Sequence, residues 1–229
     1  YFNSGPTMLS LIGTPIGNLS DITLRALETL RAMPVVIVEK YTDSIKLLKH
    51  FDIKPQTILS FDDRNAKRAL PKIRAILSEK DAAYIVSAGM PGISDPCSML
   101  VNACREDGIP VVPIPGPSAV TTAVAIAGFG NREFLFTGFL PKKSGQYKNV
   151  FEEARENEHL LVFFESTHRI LKTLQFLAVA YPESKLFVGK EMTKVFETYL
   201  AGSPSEILAQ FETKKQLSKG EFTCVISFE

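Results

Sequence analysis

The chain of 229 residues is predicted to fold as an α/β protein with two domains and an interdomain cleft. Short β-branched runs alternate with longer segments of helical periodicity, a pattern that produces parallel-rich sheets covered on both faces. A Gly/Asn cluster at residues 128–131 separates two such sets of elements, and we interpret it as the linker. The predicted domains are therefore residues 8–127 and 128–229.

The first domain is predicted to contain a parallel-rich sheet. Its strands are short apolar runs, whereas its helices carry apolar residues three and four positions apart. The predicted strands are residues 8–12, 35–39, 83–87 and 111–113, and the predicted helices are residues 22–31, 44–51, 65–78 and 99–106. Residues 1–7 are interpreted as a cloning remnant, because Met8 directly precedes the first apolar run.

The second domain is predicted to contain a mixed sheet. A short strand at residues 197–200, together with the last strand of the chain, indicates antiparallel pairing. The other predicted strands are residues 134–138, 160–165, 186–189 and 222–228, and the predicted helices are residues 150–157, 170–180 and 205–211.

Composition excludes several classes of protein. The formal net charge is +1 and both halves are nearly balanced, so any affinity for RNA must come from a local patch. No apolar run approaches the roughly 20 residues that span a bilayer, so we expect a cytoplasmic protein without a membrane partner. Cys97, Cys104 and Cys224 lack zinc-knuckle spacing and are expected to be buried thiols, and no metal site is predicted.

Three loops rich in Gly and Pro follow strands of the first domain, at residues 13–21, 87–96 and 113–119. Ligands of open α/β sheets bind at this carboxyl edge, so together the loops predict a site. Ser20 or Asp21 is expected to cap the next helix, and a well-capped turn remains the alternative for the first loop. Ser118 is expected either to cap a helix or to offer its hydroxyl to a ligand.

The first loop lacks the G-x-G-x-x-G spacing of the dinucleotide fingerprint. This disfavours an oxidoreductase with a Rossmann domain, which is one alternative function for an α/β chain.

In the second domain, charged residues follow two strands, at residues 164–169 and 190–194. Arg169 and Lys194 are candidates for binding phosphate, whereas His168 is interpreted as a cap or surface residue. The basic stretch at residues 141–145 fails the Walker pattern. It is interpreted as a loop whose Lys142 and Lys143 contact an RNA backbone, with a solvated turn as the alternative.

These loops resemble the tetrapyrrole-methylase superfamily, the class III methyltransferases, and most closely its branch that 2′-O-methylates a cytidine of small-subunit ribosomal RNA. Residues 13–23 (GTPIGNLSDIT) and 138–145 (GFLPKKSG) are specific to that branch. The remaining matches, in the order of the family, are residues 93–96, 112–119, 164–169, 191–194 and 219–222.

The resemblance implies a homodimer that binds S-adenosylmethionine in the interdomain cleft and acts on ribosomal RNA. Residues of both domains would line the cofactor pocket. By match, these are Pro15, Ser87, Gly89, Met90, Ile93, Ser118, Ala119 and Phe164. Glu165, Arg169, Glu191 and Lys194 would face the pocket from the second domain.

The chain departs from the family in three segments of the first domain. Residues 87–91 (SAGMP) stand where the family reads Ser-Asp-Ala-Gly-Thr-Pro, so an aspartate is missing. Residues 38–42 (VEKYT) stand for Ala-Glu-Asp-Thr-Arg, and residues 62–65 (DDRN) stand for a His-x-His-Asn element. A ribosome-binding homologue without activity is therefore one alternative function, and methylation of a tetrapyrrole or another small molecule is another.

The predicted catalytic residues follow from the chemistry of a ribose hydroxyl, which is a poor nucleophile. We hypothesise that Glu165 or Glu191 orients or deprotonates the hydroxyl. Lys190, Lys194 or Arg169 would then stabilise RNA phosphate or the developing negative charge.

Overall fold

The computed structural model describes residues 7–93, 95–130, 133–142 and 144–228. The predictions that concern residues 1–6, Ser94, Asn131 and Lys143 lie outside these ranges. Contacts divide the chain into two compact units, Tyr1–Ser118 and Ala119–Glu229. The division falls one helix earlier than the Gly/Asn cluster at residues 128–131.

The first unit contains a five-stranded sheet in the order β3-β2-β4-β1-β5, and every strand pair is parallel, as the sequence predicts. Strand β3 was not predicted, because it is a short edge strand with only two apolar residues and is only partly buried. The strands are β1 (Leu9–Ile12), β2 (Val35–Val38), β3 (Thr57–Ser60), β4 (Ala82–Ile85) and β5 (Val111–Ile114).

Four helices cover both faces of this sheet. They are α1 (Leu24–Ala32), α2 (Tyr41–His50), α3 (Ala66–Leu77) and α4 (Cys97–Glu106). Leu30 of α1 and Leu48 of α2 belong to the apolar core on one face, whereas Ile73 of α3 and Leu100 of α4 belong to the core on the other. This arrangement follows from right-handed parallel crossovers, because the chain reverses its direction across the sheet after β3.

The expected cap of α1 by Ser20 or Asp21 is wrong. The hydroxyl of Thr23 accepts a hydrogen bond from the Ala26 N–H at 3.1 Å and caps the helix. The preceding residues form a separate 3₁₀ turn, Leu19–Asp21, that is capped by Asn18. The turn displaces the start of α1 toward the C-terminus.

The second unit begins with α5 (Ala119–Ala127), which packs against its sheet. The sheet has the order β6-β7-β10-β8-β9. Strands β6 and β7 are parallel and the other pairs are antiparallel, which confirms the predicted mixed sheet. The strands are β6 (Phe134–Phe139), β7 (Leu160–Glu165), β8 (Lys185–Lys190), β9 (Thr198–Gly202) and β10 (Phe222–Ser227).

The remaining helices are α6 (Ser144–Glu156), α7 (Ile170–Ala180) and α8 (Pro204–Thr213). A capping box fixes the start of α8, because the hydroxyl of Ser203 accepts from the Glu206 N–H while the Glu206 carboxylate accepts from the Ser203 N–H. Phe151, Leu174 and Phe211 pack in one core with the strands. Within the described ranges, no helix combines the length and apolar character needed to cross a bilayer.

Candidate functional site

The topology of the first sheet predicts a crevice at the carboxyl ends of β1 and β4. These strands are neighbours, but α1 follows β1 onto one face of the sheet and α4 follows β4 onto the other. The loops therefore leave the sheet edge in opposite directions. Ligands of open α/β sheets bind at such a reversal of strand order.

Hydrogen bonds fix the two loops that border this crevice. The Thr14 N–H donates to the Gly89 carbonyl at 3.0 Å, and the Gly89 N–H donates back to the Thr14 carbonyl at 3.1 Å. The hydroxyl of Thr14 donates to the Val86 carbonyl at 3.0 Å. The two loops are therefore held in fixed positions by the hydrogen bonds between them.

The loops after β1 and β5 approach backbone to backbone. A Cβ atom on Gly13 would lie 2.6 Å from the Gly116 nitrogen and 2.7 Å from the Met90 sulfur. A Cβ atom on Gly116 would lie 2.7 Å from the Gly13 carbonyl oxygen. Only glycine fits at both positions, so this contact brings three loops together at one sheet edge.

The predicted cofactor residues of the first unit lie on these loops. Pro15 and Gly89 are buried, Met90 is half-buried, and Ser87 and Ile93 are exposed. Two further predicted cofactor residues lie where the units divide. Ser118 ends the first unit, and Ala119 begins α5 of the second.

Glu39, which follows β2, was not among the predicted site residues. Its Oε2 accepts hydrogen bonds from the backbone N–H and the hydroxyl of Ser87, at 3.1 and 3.2 Å. The signal that could have identified Glu39 is its position directly after a buried apolar strand. Glu39 adds a carboxylate to the carboxyl edge of the first sheet.

In the second unit, Glu165 is 1% exposed and its carboxylate is occupied. Oε1 accepts from the Ser166 N–H at 2.8 Å, and Oε2 accepts from the Thr173 hydroxyl at 2.8 Å. The guanidinium of Arg169 lies 3.5 Å from Oε1. A general base must reach the proton that it removes, so this burial favours a positioning role for Glu165.

Arg169 holds the loop that follows β6. Its guanidinium donates to the carbonyls of Leu140 and Pro141, at 2.7 and 3.0 Å. These bonds, together with the Glu165 contact, favour fixing the loop over direct binding of phosphate. The loop carries Lys142, whose side chain is exposed.

Glu191 and Lys194 belong to an ion-pair network that includes Glu221. The ammonium of Lys194 lies 3.0 Å from Glu191 Oε1 and 2.8 Å from Glu221 Oε2. Glu191 Oε1 also accepts from the Glu221 N–H at 2.8 Å. Burial opposes ionisation of Glu191, but this N–H and Lys194 outweigh it and lower the carboxyl's pKa. Glu191 is therefore a weak base.

The same network holds a strained turn in place. Glu191 and Thr193 have positive φ angles of 51° and 65°, which cost roughly 1–3 kcal/mol each for residues other than glycine. Beside the turn, the hydroxyl of Thr167 donates to the Gly220 carbonyl at 2.9 Å and accepts from the Gly220 N–H at 3.0 Å. The loops after β7 and β8 are thus both hydrogen-bonded to the residues just before β10, at one edge of the second sheet.

Lys190 ends β8 and is 8% exposed. Within the described ranges its ammonium makes no hydrogen bond or ion pair, so it is available to an anionic or polar ligand.

Phe164, a predicted cofactor residue, is half-buried and packs edge-on against Phe136 and Phe139, with ring centroids 5.0 and 5.7 Å away.

We expect replacement of Lys194 by methionine to lower the unfolding free energy by about 0.5–1 kcal/mol at pH 7. The lowered pKa of Glu191 means that its contribution is present above the ordinary value of 4.5 and is lost as pH falls through the lower folded value. The raised pKa of Lys194 means that its contribution is lost only above 10.5. Between pH 7 and acid, the difference between variant and wild type should therefore shrink as pH falls.

Urea denaturation at pH 7 and pH 3.5 measures this difference, with Lys172→Met as the control. Lys172 is exposed on α7 and makes no ion pair with the described residues. A penalty for Lys194→Met that stays the same at both pH values would contradict the ion-pair assignment.

Comparison with known proteins identifies the family of the chain. Residues 8–208 match the tetrapyrrole (corrin/porphyrin) methylases. The chain is 41% identical over 220 residues to the ribosomal RNA small subunit methyltransferase I of Thermotoga maritima, covering 96% of this chain and 97% of that protein. It is 39% identical over 224 residues to the protein of the same name from Borrelia garinii, covering 96% and 98%.

Solved structures of low sequence identity share the fold. Diphthine synthase has a TM-score of 0.78 at 15% identity, with coverage of 96% of this chain and 90% of that one. Cobalt precorrin-4 methyltransferase has a TM-score of 0.70 at 17% identity, with coverage of 97% and 98%. On the match of residues 8–208 and the 41% identity to a relative of nearly the same length, the chain belongs to the tetrapyrrole (corrin/porphyrin) methylase family.

Proposed function

We propose that this chain transfers a methyl group from S-adenosylmethionine to the ribose 2′-oxygen of a cytidine in small-subunit ribosomal RNA. Methyltransferases of this family and fold use S-adenosylmethionine. The observation that carries the proposal is the 41% identity to a ribosomal RNA small subunit methyltransferase I over nearly the full length of both chains. The 2′-oxygen and the cytidine follow from the resemblance of residues 13–23 and 138–145 to that branch.

The crevice of the first unit fits the chemistry of S-adenosylmethionine. The cofactor carries positive charge, an apolar chain and polar ribose and adenine groups. The crevice edge offers the half-buried carboxylate of Glu39, the apolar side chains of Met90 and Ile93, and the backbone of turns that are closed by Gly13 and Gly116. We propose that these residues bind the methyl donor, together with Pro15, Ser87, Gly89, Ser118, Ala119 and Phe164.

Positioning of the acceptor hydroxyl is the main task of the protein. When bound, S-adenosylmethionine supplies an already electrophilic methyl carbon, so in-line placement of the ribose oxygen gives most of the rate enhancement. We propose that Lys190 stabilises the negative charge that develops on this oxygen, because this largely buried residue makes no hydrogen bond within the described part of the chain. Glu191 orients the hydroxyl, and the proton leaves to solvent, since the lowered pKa makes Glu191 a weak acceptor.

The basic loop after β6 is proposed to contact the RNA backbone through Lys142 and Lys143. Lysine ammonium groups bind phosphate without reading the base, so this contact would set the register of the RNA. Arg169 holds the loop, because it donates to the carbonyls of Leu140 and Pro141. Glu165 in turn contacts the guanidinium of Arg169. Both are therefore proposed as positioning residues.

Replacement of Arg169 by lysine is expected to lower kcat/KM for small ribosomal subunits about tenfold. Lysine keeps the charge but cannot donate to both carbonyls in the fixed geometry of a guanidinium. Affinity for S-adenosylmethionine should stay within twofold of wild type, since Arg169 is not among the residues proposed to bind the donor. Steady-state kinetics and calorimetry measure the two quantities.

A control variant tests whether the effect is specific to Arg169. Arg155→Lys on α6 changes an arginine whose partner is the nearby Glu152, at 2.8 Å, and should leave kcat/KM unchanged. An Arg169→Lys enzyme with wild-type kcat/KM would show that the carbonyl contacts do not position the RNA-binding loop.

We also propose that the protein is a cytoplasmic homodimer, as the family resemblance implies. Light scattering of the purified chain tests the oligomeric state, and fractionation of cells tests the location. A monomer at micromolar concentration would contradict the first proposal.

Transfer of tritium from labelled S-adenosylmethionine tests the proposed function. We expect label in small ribosomal subunits, and nucleoside analysis should recover it as 2′-O-methylcytidine. Label in a tetrapyrrole but not in RNA would support small-molecule methylation. Binding to the subunit without label, together with no calorimetric signal for S-adenosylmethionine, would support an inactive ribosome-binding protein.

A further inference from the structure

The second unit contains a cavity of about 700 Å³ beside the end of β8. The turn at residues 191–197 forms one side, and the 3₁₀ segment Lys215–Ser218 with the following residues forms the other. We call it the β8–β9 cavity. Its volume lies within the roughly 300–1,000 Å³ of small-molecule sites. Apart from Lys190 and Glu191, its lining takes no part in the mechanism above.

One side of the cavity carries an exposed aromatic ring. Phe196 is 78% exposed, and its neighbour Val195 is 91% exposed. Both residues follow the turn with positive φ angles at Glu191 and Thr193, and the ion pairs of Lys194 stabilise that turn. An exposed ring on a held turn offers a flat stacking surface at a low cost in conformational entropy.

The lining carries two lysines and two glutamates, and the lysines are the groups that could bind an anionic ligand. Lys190 forms part of the lining with no hydrogen bond or ion pair to the described residues, and Lys219 is an exposed cation opposite the turn. The acidic lining groups already have donors. Glu197 accepts from the Thr193 N–H at 2.8 Å and from the Tyr199 hydroxyl at 2.5 Å, and Glu191 is paired with Lys194.

We propose that the β8–β9 cavity binds one nucleotide of single-stranded RNA, with its base stacked on Phe196 and its phosphate bound by Lys219. This inference rests on the proposed function, since it names where the RNA substrate is held. Exposed aromatic rings beside lysines are the combination that single-stranded nucleic acid sites use. Protein interfaces, by contrast, are depleted in lysine. The exposed amide of Gln216 is placed to bind a base edge.

Fluorescence anisotropy of the full chain with a short fluorescein-labelled oligocytidylate tests the inference. Phe196→Ala is expected to weaken binding about tenfold, whereas Phe196→Trp should retain wild-type affinity because it keeps an aromatic face. Lys219→Gln is expected to weaken binding about threefold and to reduce the salt dependence by about one phosphate contact.

Two control variants match these changes. Val179→Ala removes an equally exposed apolar side chain on α7, which is 84% exposed, and Lys172→Gln removes an exposed lysine on the same helix. Both should bind the oligonucleotide as wild type does. Phe196 is exposed, so its replacement should leave the melting temperature unchanged.

Three results would overturn the inference. They are wild-type RNA affinity in Phe196→Ala, conversion of a dimer to a monomer by Phe196→Ala, and a loss of S-adenosylmethionine affinity in the same variant. The proposed function fails separately, if the wild-type enzyme transfers no tritium to small subunits. Wild-type transfer with unaltered RNA binding by Phe196→Ala would reject the cavity alone.

Discussion

Replacement of Gly116 by alanine is expected to lower the affinity for S-adenosylmethionine at least tenfold and the unfolding free energy by about 1–3 kcal/mol. The added Cβ atom would lie 2.7 Å from the carbonyl oxygen of Gly13, which is backbone and cannot rotate away. The loops after β1 and β5 must therefore separate, and the crevice beside Thr14 and Gly89 changes shape. Calorimetry and urea denaturation measure the two effects.

Gly108→Ala is the matched control for this variant. Gly108 has a φ angle of +67° and nothing within 4 Å of an added Cβ, so alanine there carries backbone strain without a clash. It should lower stability by roughly 1 kcal/mol and leave the cofactor affinity unchanged. Equal affinities of Gly116→Ala and wild type would show that the loop contact does not shape the donor site.

Replacement of Glu165 by alanine is expected to lower the unfolding free energy by about 3 kcal/mol and to reduce turnover on small subunits at least 100-fold. The change leaves the half-buried Ser166 N–H and the buried Thr173 hydroxyl without their acceptor. Arg169 also loses its carboxylate partner, so the RNA-binding loop loses its support. Thermal unfolding and tritium transfer measure the two effects.

Further variants and a control separate positioning from base catalysis by Glu165. Thr173→Val removes one donor to the carboxylate and should cost about 1 kcal/mol with partial loss of turnover. Glu183→Gln, at an exposed position, is the control and should change neither quantity. A Glu165→Gln enzyme that keeps its full stability and loses its turnover would contradict the positioning role. If both Glu165→Gln and Glu191→Gln keep wild-type turnover, neither residue takes part in catalysis.

The sequence predicted both sheets because burial imposes a clear pattern on their central strands. The run VVIV of β2 and the run LLVFFE of β7 are apolar throughout or nearly so, as strands covered on both faces must be. Strand β3 escaped detection because an edge strand needs only partial burial. The start of α1 was misplaced because Ser20, Asp21 and Thr23 are all good capping residues, and only the backbone decides among them.

The positions of the candidate site followed from the sequence, but the contacts within it did not. Charged residues after β7 and β8 do lie at the same edge of the second sheet, because Glu165 and Lys190 both pair with Phe222 of β10. Their roles depend on partners that are distant in sequence, since Glu221 pairs with Lys194 and the carbonyl of Leu140 accepts from Arg169. Such tertiary partners leave no local pattern, so Glu165 and Arg169 looked more available to a substrate than their contacts allow.

Mapping of 2′-O-methylation in ribosomal RNA from cells with and without this protein tests the central claim most directly. We expect one cytidine of the small-subunit RNA to lose its ribose methyl group when the protein is removed and to regain it when the gene is restored. An identical methylation map in both kinds of cell would contradict the account.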